Sequence, residues 1–117
     1  MGGDPTCTDP DKYRVIFEND RVRVLEYRDV PGARTQPHQH PDSVMCTLSA
    51  FRRRLHASGG TRDVDMRPGQ AYWLPAQVHA GENIGATGTH VIFVELKEGA
   101  GQAPAGPAQA GSVGPLP

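Results

Sequence analysis

Short runs in which apolar and polar residues alternate, separated by Gly, Pro, Asn and Asp, make up most of this chain. Side chains of an extended strand point to opposite faces with period two, so such runs predict strands with one buried face. Residues 12–17 form the first run, with β-branched Val15 and Ile16. The turn signal Glu18-Asn19-Asp20 leads into residues 21–30, the longest alternation, which Pro31-Gly32 breaks. Residues 44–48, 51–56, 61–66, 70–74 and 89–96 continue the pattern. Ser58-Gly59-Gly60 predicts a hairpin turn, and Arg67-Pro68-Gly69-Gln70 a turn of the Pro-Gly kind. Residues 81–89 read as a loop. The run Val91-Ile92-Phe93-Val94 is apolar throughout, which predicts burial on two sides, in a packed double sheet or a dimer. Helical periodicity is absent. Eight or nine short strands at this spacing predict an all-β sandwich or barrel.

Composition sets the limits of that domain. The chain has 117 residues, enough for one domain, and 37% of them are apolar. The deficit is concentrated at the ends. Residues 99–117 are almost entirely Gly, Ala, Pro and Gln, with Val113 and Leu116 the two sizeable apolar side chains. Such a stretch cannot bury enough surface to offset its ordering entropy, so it reads as a disordered tail. Residues 1–11, rich in Gly, Pro, Asp and Thr, read as a flexible N-terminus, leaving 12–98 as the folded unit. A net charge of −1 with interspersed signs points to neither nucleic acid nor an anionic membrane. No run approaches a membrane span and no signal peptide opens the chain, so the expected location is cytoplasmic. Cys7 and Cys46 do not form a disulfide framework.

The candidate chemistry lies in His38-Gln39-His40. Two histidines one residue apart share a face of a strand, and imidazole is a ligand for Zn, Fe, Cu, Ni and Mn-type ions. A third histidine, His79, follows Pro75 in a segment that echoes the first. Converging from two strands, the three would form a metal site. His56 and His90 stand alone and read as ordinary hydrogen-bonded residues.

These segments resemble the two motifs of the cupin superfamily. Gly32, His38 and His40 match the first motif in spacing; Gly69, Pro75, His79 and Asn83 match the second, with the Pro-to-His interval one residue short and Gln77 where Gly is usual. The resemblance covers residues 13–97 and is nearest to small single-domain bacterial cupins, some of which carry the label of β-alanine-degradation proteins. It implies a small antiparallel β-barrel of jelly-roll type and a homodimer formed by sheet packing. The family's carboxylate ligand is missing: Val44 stands in its place, and no Glu lies between His40 and Glu82. Asp42 is near but has the wrong parity. The resemblance therefore implies a three-histidine site of His38, His40 and His79. It would hold one divalent transition metal, with Fe(II) favoured and Zn, Mn, Ni or Cu as alternatives, and would bind a small chelating molecule.

Parity and the family layout together suggest the pocket walls. Val44 and Cys46 are expected to face inward, as is Phe93; Tyr72 with Leu74, or else Ala71 with Trp73, lines the barrel. Within Arg52-Arg53-Arg54, Arg53 shares parity with Phe51 and Leu55 and is the one placed to reach inside and pair with a carboxylate. Asn83 reads as a turn former. No catalytic acid or base is evident; Asp42 and Glu82 are candidates near the mouth. The expected function is a metal-dependent enzyme, with a non-haem Fe(II) dioxygenase preferred. A metal Lewis-acid isomerase or lyase, or a non-catalytic binding module, is the alternative.

Overall fold

The computed structural model describes residues 3–97; the tail expected at 99–117 lies outside them. A short helix, α1 (Pro5–Thr8), precedes nine strands. These are β1 (Tyr13–Glu18), β2 (Val22–Arg28), β3 (His38–His40), β4 (Ser43–Thr47), β5 (Phe51–Ala57), β6 (Gly60–Met66), β7 (Ala71–Leu74), β8 (Gln77–Asn83) and β9 (His90–Leu96). They form a five-stranded sheet in the order β1-β2-β9-β4-β7 and a four-stranded sheet in the order β3-β8-β5-β6. Every strand pairing is antiparallel. This is the all-β architecture that the alternation predicts, in the jelly-roll form that the family resemblance implies.

The core lies between the two sheets. Leu25, Phe93 and Met45 sit opposite one another across β2, β9 and β4, and Tyr13, Tyr27 and Val91 do so across β1, β2 and β9. Phe51 comes from the other sheet, with Met66, Tyr72 and Leu74 packed around them. The two motif glycines have a physical reason. Gly32 and Gly69 follow Pro31 and Pro68 and adopt φ of 88° and 80°, the conformation that the third position of a Pro-Gly turn requires.

Three expectations need correction. The first concerns residues 81–89, read as a loop. Gly81, Glu82 and Asn83 belong to β8, paired with Leu55, Arg54 and Arg53 of β5. Their turn-like composition reflects side-chain demands of the strand. A Cβ on Gly81 would lie 2.6 Å from Arg53 Nη2, so only glycine leaves room for the guanidinium.

The second concerns the start of the chain, read as flexible. The described part of it docks against the barrel. Asp4 caps α1 through Thr6 N at 2.8 Å, and buried Asp9 accepts from Gln36 N at 3.0 Å. Gly3 O accepts from Gln39 N at 2.7 Å and so covers the outer side of β3.

The third is the facing of β4. Ser43, Met45 and Thr47 are its buried residues, whereas Val44 and Cys46 point to the outer side of the sheet. Both polar residues of the inner face lie in the buried row. Thr47 is satisfied there by Arg67 O and Gln70 N.

Candidate metal centre

Strands β3 and β8 lie side by side in the four-stranded sheet, with His38 directly opposite His79. His40 lies two residues along β3 and therefore on the same face. The three rings meet edge to face, with centroids 4.8–5.0 Å apart. One ring nitrogen from each falls within 4.8 Å of the others. His38 and His40 are fully buried; His79 is half-buried.

Each imidazole is held from behind through Nδ1. His38 Nδ1 donates to Gln36 O at 2.8 Å, His40 Nδ1 to Glu95 Oε2 at 2.9 Å, and His79 Nδ1 to Gln77 Oε1 at 3.0 Å. An acceptor at Nδ1 fixes the tautomer and leaves the Nε2 lone pair for a ligand. All three residues thus present Nε2. For His40 this atom is buried without any hydrogen-bond partner among the described residues. An orphaned buried acceptor is costly, and a metal ion at Nε2 would satisfy it. Ser43 Oγ, opposite Glu95 on the adjacent strand, is the other such atom.

The electrostatics favour the neutral, ligating form. Burial, then the neighbouring His40, push His38 down to about 4. Burial, then His40 and His38, push His79 down to about 3. At pH 7 both are unprotonated donors. Tyr13, from β1, places its hydroxyl 3.3 Å from His38 Nε2, and burial holds its pKa well above the usual phenol value.

Glu95 is the carboxylate of this centre, although it is not placed to be a ligand. Its second oxygen accepts from Arg23 Nε at 2.9 Å and Nη2 at 2.8 Å. Arg23 in turn pairs with Asp4 at 2.9 Å. The chain from Asp4 through Arg23 and Glu95 to His40 ties the helix cap to the ligand set. Sequence reading missed Glu95. Its signal was a charge at the same parity as Val91 and Phe93 on the most apolar strand. Tyr13 was missed as well.

A cavity of about 280 Å³ opens beside the histidines. Arg53, Tyr72, Trp73 and Phe93 line it together with His38, His79 and Tyr13. Phe93 stacks on His40 at 4.9 Å; of β7, Tyr72 and Leu74 pack inward on the core, while Trp73 faces the outer side, 55% exposed, and only borders the cavity. Val44 and Cys46, expected as walls, are not among the lining residues. Their alternation runs one position out of phase with the core face.

Arg53 is buried and reaches a carboxylate of the protein itself. Its Nη1 pairs with Asp29 and Thr89 Oγ1, and its guanidinium lies 5.2 Å from the Tyr27 ring centre. Asp42 and Glu82 do not reach the centre. Asp42 accepts from Ala76 N at 2.8 Å, and Glu82 pairs with Arg34 and His56. Asn83 ends β8, buried, and fixes the following loop through Thr87 O and Gly85 N. Both cysteines are free.

The fold and this centre can be set against known proteins. No family model matches the chain. The β-alanine degradation protein BauB of Pseudomonas aeruginosa is 36% identical over 84 residues, spanning 71% of this chain and 87% of that protein. A cupin domain from Bordetella pertussis superposes with a TM-score of 0.69 at 28% identity, covering 73% of this chain and 91% of that one. The chain belongs to the cupin superfamily. The polyketide cyclase RemF from Streptomyces resistomycificus shares the cupin fold alone, with a TM-score of 0.55 at 22% identity, covering 72% of this chain and 63% of that one. As a cupin, the protein presents three histidines where the family motifs lead one to look for them, with a valine at the position of the motif carboxylate. Among the described residues no helix is long and apolar enough to cross a membrane.

Proposed function

We propose that this cupin holds one divalent transition metal on Nε2 of His38, His40 and His79 and acts on a small chelating acid as a non-haem Fe(II) dioxygenase. The observation that carries the metal reading is the buried, unpartnered Nε2 of His40, set among three imidazoles whose Nδ1 atoms are all engaged. When bound, such an ion supplies Lewis acidity or O₂ activation to a molecule in the cavity. A three-histidine face adds no negative charge of its own. Arg53 and Arg62 line the cavity, and no Asp or Glu does among the described residues. Arg53 is already neutralised by Asp29, so the charge at the wall that favours an anionic ligand is that of Arg62. The relative BauB carries the name of a β-alanine degradation protein, which makes β-alanine a first compound to try.

The same absence of a cavity carboxylate favours a second reading, a non-catalytic binding module, over a Lewis-acid isomerase or lyase that needs a proton-transfer group. The test is elemental analysis of untagged protein, followed by O₂ uptake of the Fe(II)-loaded form with diketones, thiols, hydroxy acids and keto acids. Stoichiometric metal with metal-dependent uptake is expected. Saturable ligand binding without uptake would establish the binding module, and protein that takes up no metal would overturn the proposal.

We also propose a homodimer. On the outer side of the five-stranded sheet, Phe17, Val24, Val94, Val44 and Trp73 form one row in register across all five strands. Phe17 and Trp73 are more than half exposed. Facing sheets pack about 10 Å apart, and a two-fold axis would set this row against its own copy. Sedimentation equilibrium is expected to show a dimer that Val94→Arg converts to monomer; a monomeric wild type would refute it.

A further inference from the structure

Tyr13 is the polar group of the cavity whose hydrogen bonding must change when the centre is filled. Its ring is 6% exposed, packed against Tyr27 at 4.7 Å and Phe93 at 6.1 Å, and it lines the cavity beside His38. Its hydroxyl has one partner among the described residues, His38 Nε2 at 3.3 Å. Because His38 Nδ1 donates to Gln36 O, Nε2 carries the only lone pair of that ring, and it accepts from the phenol. An ion at Nε2 would take the same lone pair, so the two uses exclude each other. A buried hydroxyl without an acceptor is unfavourable, and no other protein acceptor lies within hydrogen-bonding distance of it among the described residues. The replacement comes from what fills the cavity beside it, water or a bound molecule.

We propose that Tyr13 donates a hydrogen bond to the coordinating anionic atom of a ligand held at the three-histidine centre, and thereby selects ligands that keep a second lone pair on that atom. This rests on the metal-binding reading above. Carboxylate, enolate and alkoxide oxygens keep such a lone pair; a neutral imidazole nitrogen does not. The proposal makes Tyr13 a specificity-determining residue and narrows the ligand to an oxyanion or an equivalent anion.

The experiment uses the Co(II)-loaded full chain, wild type and Tyr13→Phe, titrated with azide and separately with imidazole, and followed by visible absorption of the ion. Azide retains a lone pair on its ligating nitrogen. The variant is expected to bind azide about tenfold more weakly, the size of one hydrogen bond to a charged acceptor. Imidazole affinity, Co(II) content and melting temperature should stay at wild-type values. Equal azide affinity would overturn the proposal. Equal weakening of both ligands would overturn it in favour of a purely steric role, and loss of Co(II) from the variant would make Tyr13 a support for His38. A wild type that takes up no Co(II) would instead defeat the metal reading beneath it.

Discussion

His79→Ala is expected to lose divalent-metal affinity by on the order of 10²–10³-fold, taking the free energy of a structural zinc site as shared among its ligands. His79 is the one histidine of the three that comes from β8, and it stands directly opposite His38. Its removal leaves two donors on one three-residue strand, too few to enclose an ion. Competition with a chromophoric chelator measures the change. The metal-free variant should melt near the metal-free wild type, because His79 is half-buried and bonded only to Gln77 among the described residues. Full metal content in the variant would remove His79 from the site. The same titration on Glu95→Gln separates holding from orienting. That change keeps the ligands but weakens the acceptor behind His40, and such outer partners typically contribute about 10–100-fold in affinity.

The second large effect concerns Asp29, whose side chain is completely buried. It accepts from Tyr27 Oη at 2.6 Å, Asn83 Nδ2 at 2.9 Å, Thr89 N at 3.1 Å and Arg53 Nη1. Asp29→Ala would strand the Arg53 charge in the interior. Breaking a buried pair from one side costs about 3–5 kcal/mol, a fall in melting temperature on the order of 15–30 °C for a domain of this size. Removing both partners, as Asp29→Leu with Arg53→Met, should restore part of the loss.

The pH dependence has a definite sign. Burial alone would raise the Asp29 carboxyl. Hydrogen bonds from Tyr27, Asn83 and Arg53 outweigh it, and the group lies below its ordinary 3.8. The unfolded chain therefore takes up this proton more readily. The contribution is complete above about pH 3.8 and is lost as the pH falls through the lower folded value. Thermal melts in this range should show a shallower acid slope for Asp29→Ala. A variant that melts within a few degrees of wild type would contradict this role.

The strands were legible because their alternation is regular, and the grouping of the three histidines because His-x-His and the two Pro-Gly turns stand at family spacing. Where the sequence misled, the marker itself was absent. Val44, Met45 and Cys46 are all apolar, so nothing in them says which two face outward; the answer lies in Thr47, whose hydroxyl is bonded inside. Gly81-Glu82-Asn83 resembles a turn because each residue serves a neighbour across the sheet: room for Arg53, a partner for Arg34, a partner for Asp29. Asp29 and Glu95 were readable in principle. Each continues the inward parity of apolar residues, Leu25 and Tyr27 in one case, Val91 and Phe93 in the other, and a charge at such a position implies a buried partner.

The docking of Gly3 onto β3 bears on solubility as well as on the centre. Strand β3 ends the four-stranded sheet, and an end strand offers unpaired amides on which a second molecule can template. Gly3 O occupies the amide of Gln39, and Asp9 that of Gln36. The described residues at the start of the chain thus cover the edge strand that carries two of the three histidines. Affinity tags are better placed at the other end of the protein.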